Sequence, residues 1–337
     1  MRLASERILG PSWESKTAAA PDARRIARLF AATGVAQRSS AVDLNEFYDR
    51  PRSTGERMAT YRTAALELGR AAMRACLAPL STRQAADISD LICVSCTGYS
   101  APGLDIELAG DLHMPGDVRR LMIGHMGCYG AMVALRQALA TVRADPNATV
   151  AIASVELSML HFFPSLDTET ITSMALFGDA GAAVLIGDDR NSPGPEVVDT
   201  YCAADFGAAD QMTWTITDQG FAMRLSPRVP VTLRRHLRSV VEHLLDPHGL
   251  ALSDVAHWLI HPGGPSILEV AKDKLELSDD QLALSWEVLR DHGNCSSATV
   301  LLILDRLLRA GRTRRGEWGV MIAFGPGLTL ETCLLRF

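Results

Sequence analysis

Ile123-Gly-His-Met-Gly-Cys-Tyr-Gly-Ala-Met-Val-Ala-Leu-Arg136 reads as a strand that breaks at Gly124 and Gly127, followed by a helix that begins after Cys128. Outward from it the same alternation recurs. Apolar runs at Leu91–Ser95, Arg119–Ile123, Val150–Val155 and Ala182–Ile186 read as buried strands, and Tyr61–Leu77 and Tyr129–Val142 as helices. The second half follows the same pattern, with strand Val197–Tyr201, helix Val231–Leu245, strand Trp258–Ile260, helix Ser296–Leu308, then strands Val320–Phe324 and Thr332–Arg336. Strands alternating with helices predict an α/β fold around a largely buried sheet. Turn formers crowd together at Asp188–Pro195, DDRNSPGP, and predict a boundary between an N-terminal half, 1–187, and a C-terminal half, 196–337.

A chain of 337 residues, 47% hydrophobic and 21% charged, has the material for two cores and rules out a disordered or fibrous class. Its net charge of −6 gives no basic field for nucleic acid. Any anionic substrate has to meet a local basic patch. Met1–Gly10 shows no secretory signal pattern and no run long enough to span a membrane occurs, so the expected compartment is the cytosol. Seven cysteines, an odd number, suit reduced thiols there.

Cys128 falls at the strand-to-helix turn, where backbone N–H groups favour the thiolate, the nucleophilic form. Gly127 and Gly130 beside it let an acyl group approach the backbone. A nucleophilic cysteine needs a group to take its proton and donors for the charge that develops on a carbonyl oxygen. Trp258-Leu-Ile-His261-Pro-Gly-Gly-Pro sets a histidine at a strand end, and Asp291-His-Gly-Asn294-Cys-Ser-Ser-Ala sets an asparagine in a turn before a helix. Each also has an ordinary reading, His261 as a structural histidine and Asn294 as a helix cap. Together with Cys128 they make three loop residues beside sheet edges, where catalytic groups are commonly held. Cys93-Val-Ser-Cys96 has CxxC spacing, yet no second CxxC or His pair completes a four-ligand zinc site.

The order Cys128, His261, Asn294, with LFGDAGAAVLIG (176–187), HPGGP (261–265), GNCSSATVLLILD (293–305), FGPGLTLET (324–332) and SCTGYSAPGLD (95–105), resembles the bacterial branch of the type III polyketide synthases, the chalcone-synthase-like family. The resemblance runs from about Arg25 to the C-terminus. It implies a thiolase-like five-layered αβαβα fold of two similar halves, a homodimer, and substrates that are an acyl-CoA starter and malonyl-CoA, with no metal or redox cofactor. It assigns Cys128 as the acyl carrier, paired as a thiolate with an imidazolium at His261, and His261 and Asn294 as donors to the enolate left by decarboxylation. It assigns Phe177 and Met223 as gatekeepers, Trp214 as a bulky cavity floor favouring short products or an aliphatic tunnel elsewhere, and His161 and Ser296 as further cavity positions. Ile106 is placed at the residue that reaches across the dimer, and Arg38, with Arg28 as a weaker match, at the CoA phosphates. Ala323 and the GDAGAA order depart from the commoner family pattern without a change of volume. Two other readings stand beside this one. A ketoacyl-ACP synthase III-like priming enzyme would demand an acyl carrier protein, and a catalytically silent thiolase-fold partner would release no carbon dioxide from malonyl-CoA.

Overall fold

Each half of the chain builds its own four-stranded sheet, and two helices lie between them. The structure is a computed structural model that describes residues 21–78, 84–162, 167–189 and 194–337. Met1–Gly10 and part of the Asp188–Pro195 turn lie outside the described residues. The strands are β1 (Asp90–Val94), β2 (Arg119–Ile123), β3 (Val150–Leu157), β4 (Asp179–Ile186), β5 (Glu196–Ala204), β6 (Met212–Thr217), β7 (Gly220–Leu225), β8 (Val255–Ile260), β9 (Trp318–Gly325) and β10 (Thr329–Arg336). The helices are α1 (Pro21–Ala32), α2 (Leu44–Phe47), α3 (Thr54–Leu77), α4 (Leu104–Asp111), α5 (Gly130–Ala144), α6 (Thr168–Leu176), α7 (Val229–Leu245), α8 (Pro265–Leu275), α9 (Asp279–His292) and α10 (Ala298–Arg309).

The sheets order as β2-β1-β3-β4 and β5-β10-β9-β8, with β6 and β7 a separate hairpin. In one half β1 runs parallel to β3 and β3 antiparallel to β4; in the other β8 runs parallel to β9 and β9 antiparallel to β10. The two halves therefore share one local topology. Helices α5 and α10 touch strands of both sheets, while α3 and α4 cover one outer face and α7 and α9 the other, which gives five layers, αβαβα. We propose that the halves divide between β4 and β5.

Sequence accounts for the layers. On α3 the buried residues Tyr61, Ala65, Gly69 and Met73 recur every fourth position, so one stripe faces the sheet. Ser53 and Glu56 close a reciprocal capping box and start this helix earlier than the apolar spacing alone indicates. On α10, squeezed between sheets, burial spreads over Val300, Leu301, Ile303, Leu304 and Leu307. One expectation is corrected. Arg119–Ile123 is a strand but not a buried one, because β2 is the edge of its sheet, with Leu121 41% and Met122 37% exposed.

Candidate active site

β2 ends at Ile123, and the chain turns through His125 (φ 61°) and Gly127 (φ 71°) into the short 3-10 turn Gly127–Tyr129, from which α5 begins. The left-handed backbone at His125 is unfavourable for a residue with a Cβ and must be held by its surroundings. Part of that holding comes from the far end of the chain. A Cβ on Gly127 would fall 2.4 Å from Pro326 Cδ, and one on Gly325 would fall 3.2 Å from the Cys128 nitrogen. The FGPG segment therefore packs directly onto the turn that carries Cys128, and only glycine allows the approach.

Asn294 follows Gly293, another left-handed glycine (φ 72°), and pairs with Phe177 through an isolated bridge: its N–H donates to Leu176 O at 2.8 Å and its O accepts from Gly178 N at 3.0 Å. Its Oδ1 accepts the Ser296 N–H at 2.8 Å, which fixes the carboxamide and leaves Nδ2 as the donating end. The Cys128 thiol donates to the same Oδ1 at 3.7 Å. His261 ends β8, tied by its N–H to Ile322 O at 2.8 Å, and its ring sits edge-on to Phe324 at 5.5 Å. Neither of its ring nitrogens has a hydrogen-bond partner among the described residues, although the side chain is fully buried. Cys128, Phe177, His261 and Asn294 all line one cavity of about 620 Å³.

Burial dominates the electrostatics. It pushes the Cys128 thiol up to about 12, helped by the nearby Glu156 and opposed by hydrogen-bonding contacts with Ser296 and Asn294. It pushes the His261 imidazole down to about 3. Desolvation disfavours each ion taken alone, and the thiol finds a neutral acceptor in Asn294.

Behind Cys128 lies a buried carboxyl that sequence reading passed over. Glu156 accepts from Cys96 N at 2.9 Å, Thr97 Oγ1 at 3.0 Å and the Ser297 hydroxyl, and burial holds its carboxyl above the usual range. A glutamate inside the apolar run SVEL was the available signal. Cys96 is a free thiol whose sulfur accepts the Gly127 N–H at 3.0 Å. Its role among these residues is to hold the turn.

The other expected positions divide. Phe177 and Met223 line both the large cavity and a smaller inner chamber of about 110 Å³, which Trp214 and Ser296 also line. His161 lines neither. Its Nε2 bonds Thr97 O at 2.6 Å and its Nδ1 accepts from Phe221 N at 3.0 Å, so both nitrogens are consumed by backbone. Arg38 is engaged by the protein's own groups. Its guanidinium donates to Met174 O at 2.5 Å, lies over the rings of Phe30 and Phe162, and is pushed down to about 10 by burial. Gly178 and Gly293 press on its stem, so Arg38 supports the Phe177 and Asn294 turns. Arg28 is exposed on α1 and donates to Arg24 O. Ile106 is 43% exposed on α4, next to the β2 edge.

Known proteins share this sequence and fold. The family model described as chalcone and stilbene synthases, N-terminal domain, matches residues 47–190, and its C-terminal counterpart matches 206–337. A 1,3,6,8-tetrahydroxynaphthalene synthase of Streptomyces peucetius subsp. caesius is 34% identical over 94% of this chain and 84% of its own length. An alpha-pyrone synthesis polyketide synthase-like protein of Mycobacterium tuberculosis is 30% identical over 92% of this chain and 81% of its own. Among solved structures, the 1,3,6,8-tetrahydroxynaphthalene synthase of Streptomyces coelicolor A3(2) superposes with a TM-score of 0.91 at 28% identity, covering 99% of this chain and 94% of that one. A brown-algal polyketide synthase of Ectocarpus siliculosus gives 0.89 at 29% identity, with 99% and 92% covered.

Proposed function

Because the chain belongs to the chalcone and stilbene synthases, a family of type III polyketide synthases that act as acyl-CoA condensing enzymes, we propose that Cys128 carries its acyl group and that His261 and Asn294 serve its decarboxylation. The observation that supports this most is the convergence of the Cys128 thiol, the unpartnered His261 ring and the oriented Asn294 carboxamide on one cavity. The Cys128 sulfur attacks the thioester carbon of an acyl-CoA while His261 takes its proton. The carbon–sulfur bond to CoA breaks, and that proton leaves on the CoA thiol. Malonyl-CoA then loses carbon dioxide, and the enolate oxygen receives hydrogen bonds from His261 and from Asn294 Nδ2, donors worth about a hundredfold or more in rate each. Phe177 offers an apolar face that disfavours the malonyl carboxylate relative to neutral carbon dioxide. The enolate carbon attacks the acyl group on Cys128, expels the sulfur as leaving group and leaves a β-keto thioester on CoA. Transfer of that chain back to Cys128 permits another extension, and ring closure to an aromatic or pyrone product ends the series. CoA thioesters are the substrates in this scheme, and no other cofactor takes part.

Of the described residues lining the large cavity, Arg224 is the one cation, and it replaces Arg38 as our candidate for a CoA phosphate contact. Leu121, Met122, Met126 and Tyr99 are exposed beside Ile106 on the β2 edge and the segments next to it, which supports a homodimer through this face. No helix among the described residues is long and apolar enough to cross a membrane, in keeping with a cytoplasmic enzyme. After incubation with an acyl-CoA, mass spectrometry of the digested protein is expected to find the acyl group on the Cys128 peptide. A stable adduct on any other cysteine, with Cys128 free, would overturn the assignment.

The proton inventory gives a second test. Burial lowers the imidazole to about 3 and raises the thiol to about 12, so around neutrality the reactive thiolate is a small fraction that grows with pH. Alkylation of Cys128 by iodoacetamide should therefore climb about tenfold per pH unit between about pH 6 and 9. A rate that is flat over that window and becomes pH-dependent only in His261→Gln would show instead that His261 holds the proton and leaves Cys128 as a thiolate.

A further inference from the structure

Residues 36–41 run as a strap from α1 across both turns that carry Phe177 and Asn294. At one end the N–H groups of Ala36 and Gln37 donate to Arg290 O at 2.8 and 3.2 Å, in the last turn of α9, just before Gly293 and Asn294. In the middle Arg38 lies against Gly178 and Gly293, where an added Cβ would come within 3.2 and 3.1 Å of its stem, and it donates to Met174 O at 2.5 Å near the end of α6. At the other end Asp179 closes the frame. Its N–H donates to Ser39 O at 3.1 Å, its Oδ2 accepts the Ala41 N–H at 2.9 Å, and its Oδ1 accepts the Met159 N–H at 2.7 Å. Phe177 and Asn294, joined by their bridge, therefore sit inside a frame whose corner is one carboxyl group, 4% exposed.

The charge on that corner matters. An ionised carboxyl accepts on both oxygens, whereas a protonated one carries an O–H, and here both oxygens already face donors. Protonation therefore weakens one of the two ties. Burial pushes the Asp179 carboxyl up to about 7, against the pull of the Ala41 and Met159 N–H groups; Glu156 on β3 pushes the same way and Arg38 opposes. Tyr48, which accepts from Arg57, and Cys295 also lie within reach of its charge.

We propose that Asp179 and Arg38 are positioning residues for decarboxylation: the Asp179 carboxylate holds the strap closed on the Phe177–Asn294 bridge, and loss of its Ala41 or Met159 tie lets the Asn294 donor drift from the enolate. The inference rests on Asn294 serving decarboxylation. Neither residue lines the cavity that holds Cys128, so both act through the turns they fasten. A small displacement suffices, because a donor to developing charge acts only when it is held at the transition-state geometry.

The test measures carbon dioxide release from malonyl-CoA by the full chain between about pH 5.5 and 8.5. In the unaltered enzyme kcat should rise about three- to tenfold through one midpoint near 7, the worth of one hydrogen bond, with KM within about twofold. Asp179→Asn presents one acceptor and one donor, as the protonated acid does, and should stay on the low plateau at every pH. Arg38→Met keeps a stem between the two glycines and removes the cation that holds the Asp179 carboxyl down, so the step should persist with its midpoint moved up. Thermal unfolding adds a readout that a merely structural role would not give. Because the folded carboxyl is raised above its ordinary range, its contribution to stability is present at low pH and lost as pH rises through the folded value. Relative to Asp179→Asn, the unaltered protein should therefore lose stability as pH rises to about 7 while its kcat climbs. A flat kcat in the unaltered enzyme, a step that survives Asp179→Asn, an unmoved midpoint in Arg38→Met, or kcat and relative stability that rise together would overturn the proposal. Release that Asn294→Asp leaves within about threefold of the unaltered enzyme would instead remove the reading beneath it.

Discussion

Cys128→Ala will lower polyketide formation by at least about 10⁴-fold while malonyl-CoA decarboxylation falls less than about tenfold. The first loss follows from removing the only atom that forms the acyl-enzyme bond: no positioned donor replaces a nucleophile, and residual turnover then reflects the hydrogen-bonding groups alone. The second stays small because the donors to the enolate, His261 and Asn294, sit at the end of β8 and on the turn before α10, and neither depends on the sulfur for its position. The His261 backbone is tied to Ile322, and the Asn294 carboxamide to Ser296. The substitution leaves the backbone of the Gly127–Tyr129 turn intact, since alanine tolerates any conformation that cysteine does. Carbon dioxide release and product formation measured on the same sample separate the two effects. If both collapse together, the sulfur has a part in decarboxylation that this scheme denies.

Asn294→Asp is expected to reduce decarboxylation by about 10²- to 10³-fold with the fold retained. Aspartate keeps an oxygen able to accept the Ser296 N–H, which now donates to Asn294 Oδ1 at 2.8 Å, so the local turn survives. What disappears is the Nδ2 donor. In its place comes a carboxylate, in a site where burial already pushes charge away, as the directions at Cys128 and His261 attest. An anion there repels the enolate that must form beside it. Carbon dioxide release by the purified variant checks this, with thermal unfolding as the control on folding. A variant that decarboxylates within about threefold of the unaltered enzyme would show that Asn294 does not face the enolate.

Much of the architecture can be read from local pattern. Strands β1, β3, β4, β5, β8, β9 and β10 are each anticipated within a few residues, because runs such as VAIAS and VMIAF are bounded by turn formers and lie between two layers. Three of the elements that went unread show clear local signals. Met212–Thr217 alternates Met, Trp and Ile with threonine, a period of two that marks one strand of the β6–β7 hairpin. Pro265 at the first helical position starts α8, and Ser278 with Gln281 forms a capping box for α9. Other features have no local signature. The Phe177–Asn294 bridge joins residues far apart in sequence, and the burial of Arg38 under two glycines is decided by where those distant turns land. The exposure of β2 depends on its place at the sheet edge, which the composition of RRLMI does not encode. At the site, the grouping of Cys128, His261 and Asn294 followed from their motifs. The burial of the thiol and the imidazole and the separation of a large cavity from a smaller one required the packed structure.

The contact between Gly127 and Pro326 has a bearing on how the protein is made. A ribosome delivers the sulfur well before its wedge, since Pro326 follows Cys128 by more than half the chain's length. A nascent chain carries its nucleophile in a loop without that brace until the Phe324–Thr332 segment has emerged. A thiol braced for attack is therefore present only in chains synthesised past that wedge.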